Sequence, residues 1–345
     1  MSGLAAGDGT VRWAVTDVGG DQPVVTADGE TVIVQRLPGS GDGLGLIDAR
    51  TGRTRVSAGL GISTFHMNRT PVLAVSDRAV FVVGHDASAP LRDDARLLPQ
   101  PVVAYDLDGD TVLWRAEVPV IGEGWVEGVV AGDHLVLQGW DTVHAFAVSD
   151  GHQVWERGLG AGLVDHSVTG DRAYREPPDR RIAVLPDGSV LITGRGLLHL
   201  DAVTGESLWS LVPDEHPELA EAAERHGYAD RARYGAPCVV GDTAYPNQMG
   251  AVNAIDMTTY DSRWVWAPDA ERERTLPPPA GPVSAAGLVF PALDGGLTLL
   301  ALDGETGEVR WQLMENDGYA PEVRTVVARD RVYVQVRDTI RALPL

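Results

Sequence analysis

The residues best suited to chemistry in this sequence are histidines, arginines and amides just before or between predicted strands. His66, Asn68 and Arg69 fall within four consecutive positions, and His166 precedes a later predicted strand. An imidazole can exchange a proton near neutral pH, while an amide and a guanidinium can donate hydrogen bonds to an anionic group. We predict ligand contacts here, or acid–base catalysis in which His66 and His166 carry protons and Arg69 orients the substrate. The alternative is a loop whose polar groups are satisfied by its own backbone.

Further polar or aromatic residues stand at predicted turns and strand entries. Trp140 lies outside the regular spacing that most tryptophans follow, and a stacking wall for a ligand would explain it. Trp125 is similar, and each of the others, taken alone, is more often a surface residue. The candidate ligand contacts are Asn68, Trp125, Trp140, Asp141, Arg181, Arg195, Tyr234 and Asn247.

Charge and composition exclude several classes of function. The chain has 345 residues, with 28 Lys and Arg against 49 Asp and Glu, so its formal net charge is −21. Such a charge repels the phosphates of nucleic acids and anionic lipids. No lysine occurs, which excludes Schiff-base enzymes and P-loop phosphate sites. We therefore expect neither nucleic acid nor a membrane as a partner.

Cysteine and histidine usage argues against a metal site and against export. Cys238 is the one cysteine, which forbids an internal disulfide and any multi-thiolate metal site, and fits a reducing compartment. The histidines lack the spacing of zinc ligands, so we expect no metal. Residues 1–20 show no signal-peptide pattern, and no apolar run has the length of a membrane span. The sequence thus predicts a cytoplasmic protein.

One spacing organises the whole chain. Asp201 is followed by Gly205 and Trp209 at intervals of four residues, and the same pattern recurs along the sequence. Six of the nine tryptophans lie on this position and a valine takes it once, which gives units of about 49 residues. Periods of this length are typical of repeat architectures. The seven anchors are Trp13, Val56, Trp114, Trp155, Trp209, Trp264 and Trp311.

Each unit contains short alternating apolar runs separated by tight-turn residues, which predicts a four-stranded antiparallel meander. Seven such units predict an all-β, seven-bladed β-propeller in a single domain spanning 1–345. The chain ends on a third strand, so we expect the N-terminal strand to join the C-terminal blade and remove the exposed sheet edges. The predicted blades are 16–57, 70–116, 125–157, 181–211, 236–266, 280–312, and 321–345 with 9–15.

The repeat resembles the tryptophan-docking motif, Ala-x-Asp-x-x-x-Gly-x-x-x-Trp, of pyrroloquinoline-quinone-type and BamB-like propellers. Ala104–Asp106, Ala254–Asp256 and Ala301–Asp303 carry its first half, and the tryptophans carry its second. The resemblance covers essentially the entire chain and implies indoles wedged between neighbouring blades. Quinone-dependent members use a vicinal disulfide beside the cofactor, so with one cysteine we expect no cofactor. BamB is a lipoprotein, and the missing lipobox cysteine disfavours a role in outer-membrane assembly.

The long connections all fall on one face of the predicted propeller, the face from which second-to-third and fourth-to-first connections leave. Loops longer than about 12 residues are usually functional, so we place the site in the funnel mouth on this top face. The insertion at about 213–233 begins with a proline and early acids and stops at a glycine, which predicts a helix acting as a lid or as a packing arm. The long connections are 58–69, 85–100, 158–180, 212–235, 267–279 and 313–320.

A propeller fold does not decide function, which depends on the site. Our leading hypothesis is a stand-alone, non-redox propeller that binds a small molecule or a peptide in the top-face funnel. The alternative is a cofactor-independent enzyme, such as a cyclase, isomerase or lyase of bacterial specialised metabolism. A protein-interaction scaffold with its partner on the top face is the third hypothesis. A water-excluding pocket with convergent His, Arg and Tyr would favour a binder or an enzyme over a scaffold.

Overall fold

The structure is a computed structural model, and its described part divides into two compact units, Met1–Gly158 and Leu159–Leu345. Strands and tight turns make up the described secondary structure, which contains no helix. The described residues are 1–5, 10–16, 18–26, 28–36, 43–57, 59–63, 72–86, 99–118, 127–139, 142–159, 163, 182–194, 196–212, 237–248, 251–266, 283–290, 297–314, 323–328, 331–336 and 339–345.

The first unit contains three four-stranded antiparallel sheets and two short strand pairs. Sheet 1 is β3 to β6, sheet 2 is β8, β9, β11 and β12, and sheet 3 is β13 to β16, while β1 pairs with β2 and β7 with β10. The strands are β1 (Ser2–Leu4), β2 (Val11–Ala14), β3 (Val18–Val25), β4 (Thr31–Arg36), β5 (Leu44–Asp48), β6 (Thr54–Val56), β7 (Ile62–Ser63), β8 (Val72–Val75), β9 (Ala79–Val83), β10 (His85–Asp86), β11 (Gln100–Asp106), β12 (Thr111–Val118), β13 (Glu127–Ala131), β14 (His134–Gln138), β15 (Thr142–Ala147) and β16 (Gln153–Gly158).

The second unit continues the same meander. Sheet 4 is β17 to β20, sheet 5 is β21 to β25 with both β22 and β23 paired to β24, sheet 6 is β26 to β29, and sheet 7 is β30 to β32. The strands are β17 (Ile182–Val184), β18 (Val190–Thr193), β19 (Leu197–Leu200), β20 (Ser207–Leu211), β21 (Cys238–Val240), β22 (Thr243–Tyr245), β23 (Asn247–Gln248), β24 (Ala251–Asp256), β25 (Ser262–Trp266), β26 (Val283–Ala285), β27 (Leu288–Phe290), β28 (Leu297–Asp303), β29 (Val309–Met314), β30 (Val323–Ala328), β31 (Arg331–Val336) and β32 (Thr339–Pro344).

The second and third strands of the sheets are continuous apolar runs because both of their faces are covered. In β11, Val102 and Ala104 face sheet 3 and pack with its Phe146, whereas Val103 and Tyr105 face sheet 1. In the fourth strand one face is open, so apolar and polar residues alternate, as the burial pattern of β12 shows. Equivalent apolar layers pack sheet 4 on sheet 5, sheet 5 on sheet 6, and sheet 6 on sheet 7.

The repeated tryptophan packs against the neighbouring blade and donates a hydrogen bond to it. The Trp114 indole donates a hydrogen bond to the Val148 carbonyl of sheet 3 at 2.8 Å. Its ring lies against Gly151, whose φ is +74° and where an added Cβ would come within 2.5 Å of the indole. Glycine is required there both for the left-handed backbone and for the space. Equivalent bonds join Trp13 to the Ala49 carbonyl and Trp264 to the Gly304 carbonyl.

Where the motif tryptophan is missing in sheet 1, a neighbouring side chain makes its hydrogen bond. Val56 takes the tryptophan position of sheet 1 and is exposed. Arg55 instead reaches the Leu107 carbonyl of sheet 2 at 2.5 Å, the carbonyl at the repeat position that accepts from an indole at other junctions. Asp110, which stands in place of the turn glycine of sheet 2, keeps the left-handed backbone with φ +53°. A guanidinium can thus take over the hydrogen bond of the missing indole.

The prediction of an all-β, seven-bladed β-propeller is confirmed, with seven meander sheets in chain order. Val11–Ala14 pairs with Ser2–Leu4 in a two-stranded sheet, and sheet 7 has three strands among the described residues. That the N-terminal strand joins the C-terminal blade stays a prediction, as does the single domain. The helix predicted within 213–233 falls outside the described residues.

Candidate functional site

Nearly all residues predicted for the site lie outside the residues that the structure describes. Asn247 is the exception, because its backbone forms β23 and pairs with Val252 of β24. Their roles in binding or catalysis therefore stay predictions. The predicted residues outside the described part are His66, Asn68, Arg69, Trp125, Trp140, Asp141, His166, Arg181, Arg195 and Tyr234.

The described residues nevertheless show what the sheet ends carry. In each meander, one end holds the first-to-second and third-to-fourth connections, and we call it the turn end. The opposite end holds the second-to-third connection, and we call it the B–C end. In the sequence, the predicted contacts Trp140 and Asp141 follow β14, Arg195 follows β18 and Asn247 follows β22, each of which is the second strand of its sheet.

Gln138 is a buried amide at the B–C end of sheet 3. It is the last residue of β14, where it pairs with Glu127 on one side and Val143 on the other, and it is 3% exposed. Its Nε2 and Oε1 are both buried, and neither has a hydrogen-bond partner among the described residues. An unpaired buried amide group costs about 1–3 kcal/mol, so native proteins rarely keep one without a further partner. Gln138 was missed by sequence reasoning.

Gln100 repeats this arrangement at the B–C end of sheet 2. It is the first residue of β11, pairs with Val118, and is 2% exposed. Its alternation with Val102 and Ala104 places it on the face of sheet 2 that packs against sheet 3. Its Oε1 is buried, and no described residue provides it with a hydrogen bond. Two neighbouring sheets therefore carry unsatisfied carboxamides at the same kind of end.

The strand register shows that the position of Gln138 is part of a pattern. In sheet 3, Ala147 stands at the position of the motif Asp. The residue before it, Phe146, pairs with Leu135, and Gln138 lies three residues after Leu135. In the other sheets, the equivalent position is likewise three residues after the strand partner of the residue that precedes the motif Asp. This position is an amide or a hydroxyl in four sheets, sheet 3 included, and Val83 in sheet 2. Those four residues are Gln35, Gln138, Thr193 and Asn247.

His144 is the fully buried histidine on the strand next to Gln138. Its Nε2 lies 3.0 Å from Thr142 Oγ1, and its Nδ1 lies 3.6 Å from the carboxylate of Glu156. The ring stacks on Phe146, with centroids 6.3 Å apart. His144 and Leu137 are directly paired, so they share the face towards sheet 2, whereas Gln138 is on the opposite face. His144 is therefore a packed core histidine and not a partner of Gln138.

Ser189, His199 and Asp187 have the residue types of a hydrolytic triad but not its bonding. Ser189 Oγ lies 2.5 Å from Asp187 Oδ1 and 2.6 Å from His199 Nε2. An ionised carboxylate only accepts, so the single hydroxyl proton goes to Asp187, and His199 Nε2–H donates to Ser189. In a triad the imidazole must instead take the proton of the serine. The cluster therefore lacks an activated nucleophile.

Metal and thiol chemistry find no support among the described residues. No group of three or more His, Cys, Asp or Glu side chains within the described ranges is arranged to hold a metal ion. Burial raises the pKa of the Cys238 thiol to about 11, so it is protonated at neutral pH and is a poor nucleophile. Within the described part of the chain, no helix is long and apolar enough to span a membrane.

Comparison with known proteins agrees with the repeat and the fold. The profile of the family described as outer membrane protein assembly factor BamB matches residues 100–275, just over half of the chain. No curated protein has a detectably similar sequence. BamB from Moraxella catarrhalis is 17% identical, with a TM-score of 0.58 over 96% of this chain and 88% of that one.

Two further solved structures show how widely the fold is shared. Sqt1 from Saccharomyces cerevisiae is 11% identical, with a TM-score of 0.58 over 93% of this chain and 82% of that one. The quinohemoprotein alcohol dehydrogenase ADHIIG from Pseudomonas putida is 16% identical, with a TM-score of 0.53 over 89% of this chain and 60% of that one. At these identities the likenesses establish the fold alone.

Proposed function

The chain belongs to the family described as outer membrane protein assembly factor BamB, and on this scaffold we propose a binding protein whose ligand is held at the B–C ends of its sheets. The ligand is a peptide or a small organic molecule. The observation that carries the proposal is Gln138, whose two amide atoms are buried at such an end without partners in the described part of the chain. A ligand that supplies both partners would remove a cost that the free protein carries.

The chemistry of the carboxamide restricts the ligand group that it can hold. A glutamine amide presents N–H donors and a carbonyl acceptor side by side and carries no charge at any pH. Its natural complement is a group with an adjacent acceptor and donor, such as a peptide bond or a pair of neighbouring hydroxyls. The register-equivalent residues Gln35, Thr193 and Asn247 are likewise uncharged and can both donate and accept. We therefore propose an uncharged polar ligand group at this position.

The long connections support the same location. Trp140 and Asp141 follow Gln138 within three residues, and Gln100 ends the long connection 85–100. Pockets typically combine apolar and aromatic walls with a few placed polar groups. An aromatic residue beside a buried amide would supply both kinds of contact. A partner protein that inserts a peptide segment would use the same groups, so the binding and scaffold hypotheses share one site.

The proposal is tested with a fixed probe panel of neutral N-acetylated tetrapeptide amides and neutral mono- and disaccharides. Binding is measured by saturation-transfer NMR on the wild-type protein, on Gln138→Leu and on the control Gln153→Leu, which removes an exposed amide from the same sheet. We expect at least one probe to bind wild type and Gln153→Leu equally and Gln138→Leu at least tenfold more weakly. A panel that binds none of the three proteins, or all three alike, would contradict the proposal.

A further inference from the structure

The junction between sheets 4 and 5 departs from the repeat at two positions that touch each other. At other junctions an alanine pairs with the tryptophan across the strands, as Ala104 does with Trp114. In sheet 4 this alanine is replaced by His199, which pairs with Trp209. In sheet 5 the turn glycine is replaced by Tyr260, which keeps a left-handed backbone with φ +63°. Tyrosine is strained in this region, so the substitution needs a compensating contact.

The compensating contacts form a stack and a hydrogen-bonded chain. The Tyr260 ring lies parallel to the Trp209 indole, with centroids 4.8 Å apart and an interplanar angle of 4°. The Tyr260 hydroxyl lies 3.2 Å from His199 Nδ1, and His199 Nε2 lies 2.6 Å from Ser189 Oγ. Among the described residues, the Trp209 indole donates to no carbonyl of sheet 5, unlike Trp264 towards Gly304 in sheet 6. A polar chain thus stands where the junctions of Trp13, Trp114 and Trp264 use one indole hydrogen bond.

The protons of this chain can be placed along its whole length. Ser189 donates to Asp187, so His199 carries its proton on Nε2 and donates to Ser189. His199 Nδ1 is then an acceptor, and the Tyr260 hydroxyl donates to it. The chain runs in one direction from Tyr260 to Asp187 only while the imidazole is neutral. A second proton on Nδ1 would reverse this bond, because Nδ1–H would donate to the hydroxyl oxygen and the hydroxyl proton of Tyr260 would have to turn away. It would also place a charged imidazole in a buried position.

The surroundings of His199 favour the neutral imidazole. His199 is 2% exposed and packs among the strands of sheet 4 and the turn of sheet 5. Burial lowers the pKa of His199 below its ordinary 6.5, and the nearby Asp187 carboxylate offsets only part of this. The titratable groups that face it in the described structure are Asp187 and Tyr260, and Asp201 lies close to Asp187.

We propose that His199 and Tyr260 form an acid-sensitive latch between sheets 4 and 5, which is closed while His199 is neutral and loosens when His199 takes up a proton. At the junction of Trp114 with Gly151, the contacts of the indole in the described structure are with Phe81, Gly151 and the Val148 carbonyl, none of which titrates, so this junction stays closed. The latch lies at the turn end, so it does not depend on the ligand proposed for the B–C ends. Its consequence is a local opening in mild acid within one part of the propeller.

Proton linkage gives the direction in which pH changes the stability contributed by His199. The pKa of His199 is lower in the folded than in the unfolded chain, so neutral His199 contributes its full stabilisation above about pH 6.5. This contribution is lost as the pH falls from 6.5 towards the folded pKa. For each pKa unit by which the folded value lies below the unfolded value, the equilibrium constant for opening rises by about tenfold at low pH. Asp187 acts only in stronger acid, because the Ser189 hydrogen bonds outweigh burial and keep its pKa below 3.8.

The test compares hydrogen exchange of strands β18 to β20 with that of β13 to β16 at pH 7.5 and pH 5.5, after correction for intrinsic rates. The variants are wild type, the double variant His199→Ala/Tyr260→Gly, which restores both residues of the motif, and the control His152→Ala at an exposed turn. We expect acid to raise the opening of sheet 4 several-fold more than that of sheet 3 in wild type and in His152→Ala. The double variant should show equal changes in both sheets.

A direct titration keeps the proposal testable even if the double variant fails to fold. The imidazole resonances of wild-type His199 are followed by NMR from pH 8 to pH 5. A His199 midpoint below the ordinary 6.5, with the Trp209 ring signals changing at the same pH, would support the latch. A midpoint at or above 6.5, or equal acid effects on sheets 3 and 4 in wild type, would overturn it.

Discussion

The turn ends and the B–C ends of the sheets differ in how completely their polar groups are satisfied. At the turn ends, the motif acid caps its own turn, as Asp48 does by accepting from Arg50 N and Thr51 N. The same bonds recur at Asp201, Asp256 and Asp303. At the B–C ends, Gln100 and Gln138 keep buried amide atoms that have no partner within the described ranges. The repeat therefore specifies the turn ends and does not specify the residues at the B–C ends.

This contrast separates architecture from specificity within a single repeat. A carboxylate that accepts two backbone N–H groups and an indole that donates to a backbone carbonyl recognise backbone and not side chains. Such contacts can be reused in every blade without regard to the rest of its sequence. The second-strand ends vary instead between Gln35, Val83, Gln138 and Thr193 at one register position. Variation at a fixed place in the fold is how one scaffold serves many ligands.

The largest expected effect is the loss of a docking indole. Trp114 is 8% exposed, and Trp114→Ala would remove its packing against Gly151 and its bond to Val148. We expect the free energy of unfolding to fall by about 3–5 kcal/mol, as for other buried tryptophans. Urea unfolding followed by circular dichroism measures this. Leu113→Ala on the exposed face of the same strand is the control, and a similar loss in both variants would contradict the role of the indole.

The glycine beneath the indole provides a sharper version of the same test. Gly151 and Gly132 both have positive φ, +74° and +57°, but an added Cβ would meet Trp114 at Gly151 and nothing within 4 Å at Gly132. Gly132→Ala should cost about 1–2 kcal/mol for the backbone alone. Gly151→Ala should cost about 1–3 kcal/mol more, because the indole must move. Equal losses in urea unfolding would mean that backbone conformation, and not docking, explains the glycine.

At the B–C end the expected effect has the opposite sign. Gln138→Leu replaces an unsatisfied buried amide with an apolar side chain of similar volume, so we expect the ligand-free protein to gain about 1 kcal/mol of stability. Thermal unfolding of wild type, Gln138→Leu and the exposed control Gln153→Leu measures this gain. A destabilised Gln138→Leu protein would show that the amide supports the fold, and the comparison between the two ends would lose its basis.

Sequence alone could predict most of the turn end and little of the B–C end. The spacing of Asp303, Gly307 and Trp311 identifies the fold because contacts to backbone need fixed spacings. The latch was foreseeable in part, since His199 and Tyr260 both depart from the motif, but their contact joins residues 61 positions apart. Gln138 leaves a weak signal, a polar residue that ends an apolar run. The predicted His66 and Arg69 lie outside the described residues and outside the repeat motif, so the spacing that predicts the fold does not predict their geometry.

The smallest expected effect appears at the turn end in strong acid. The Arg310 guanidinium and the Thr306 N–H lower the pKa of Asp303 to about 2. Because this pKa lies below the ordinary 3.8, the charged Asp303 stabilises the fold fully above about pH 4, and the contribution is lost as the pH falls towards 2. Asp303→Asn should therefore flatten the decline of the urea midpoint between pH 4 and pH 2, by a small amount since the ion pair is at the surface and is screened by salt.

Glu305→Gln, which removes an exposed charge from the same turn, should leave that decline unchanged. If both substitutions flatten it equally, net charge and not the turn geometry governs acid stability, and the motif acid would have no special role at the turn end.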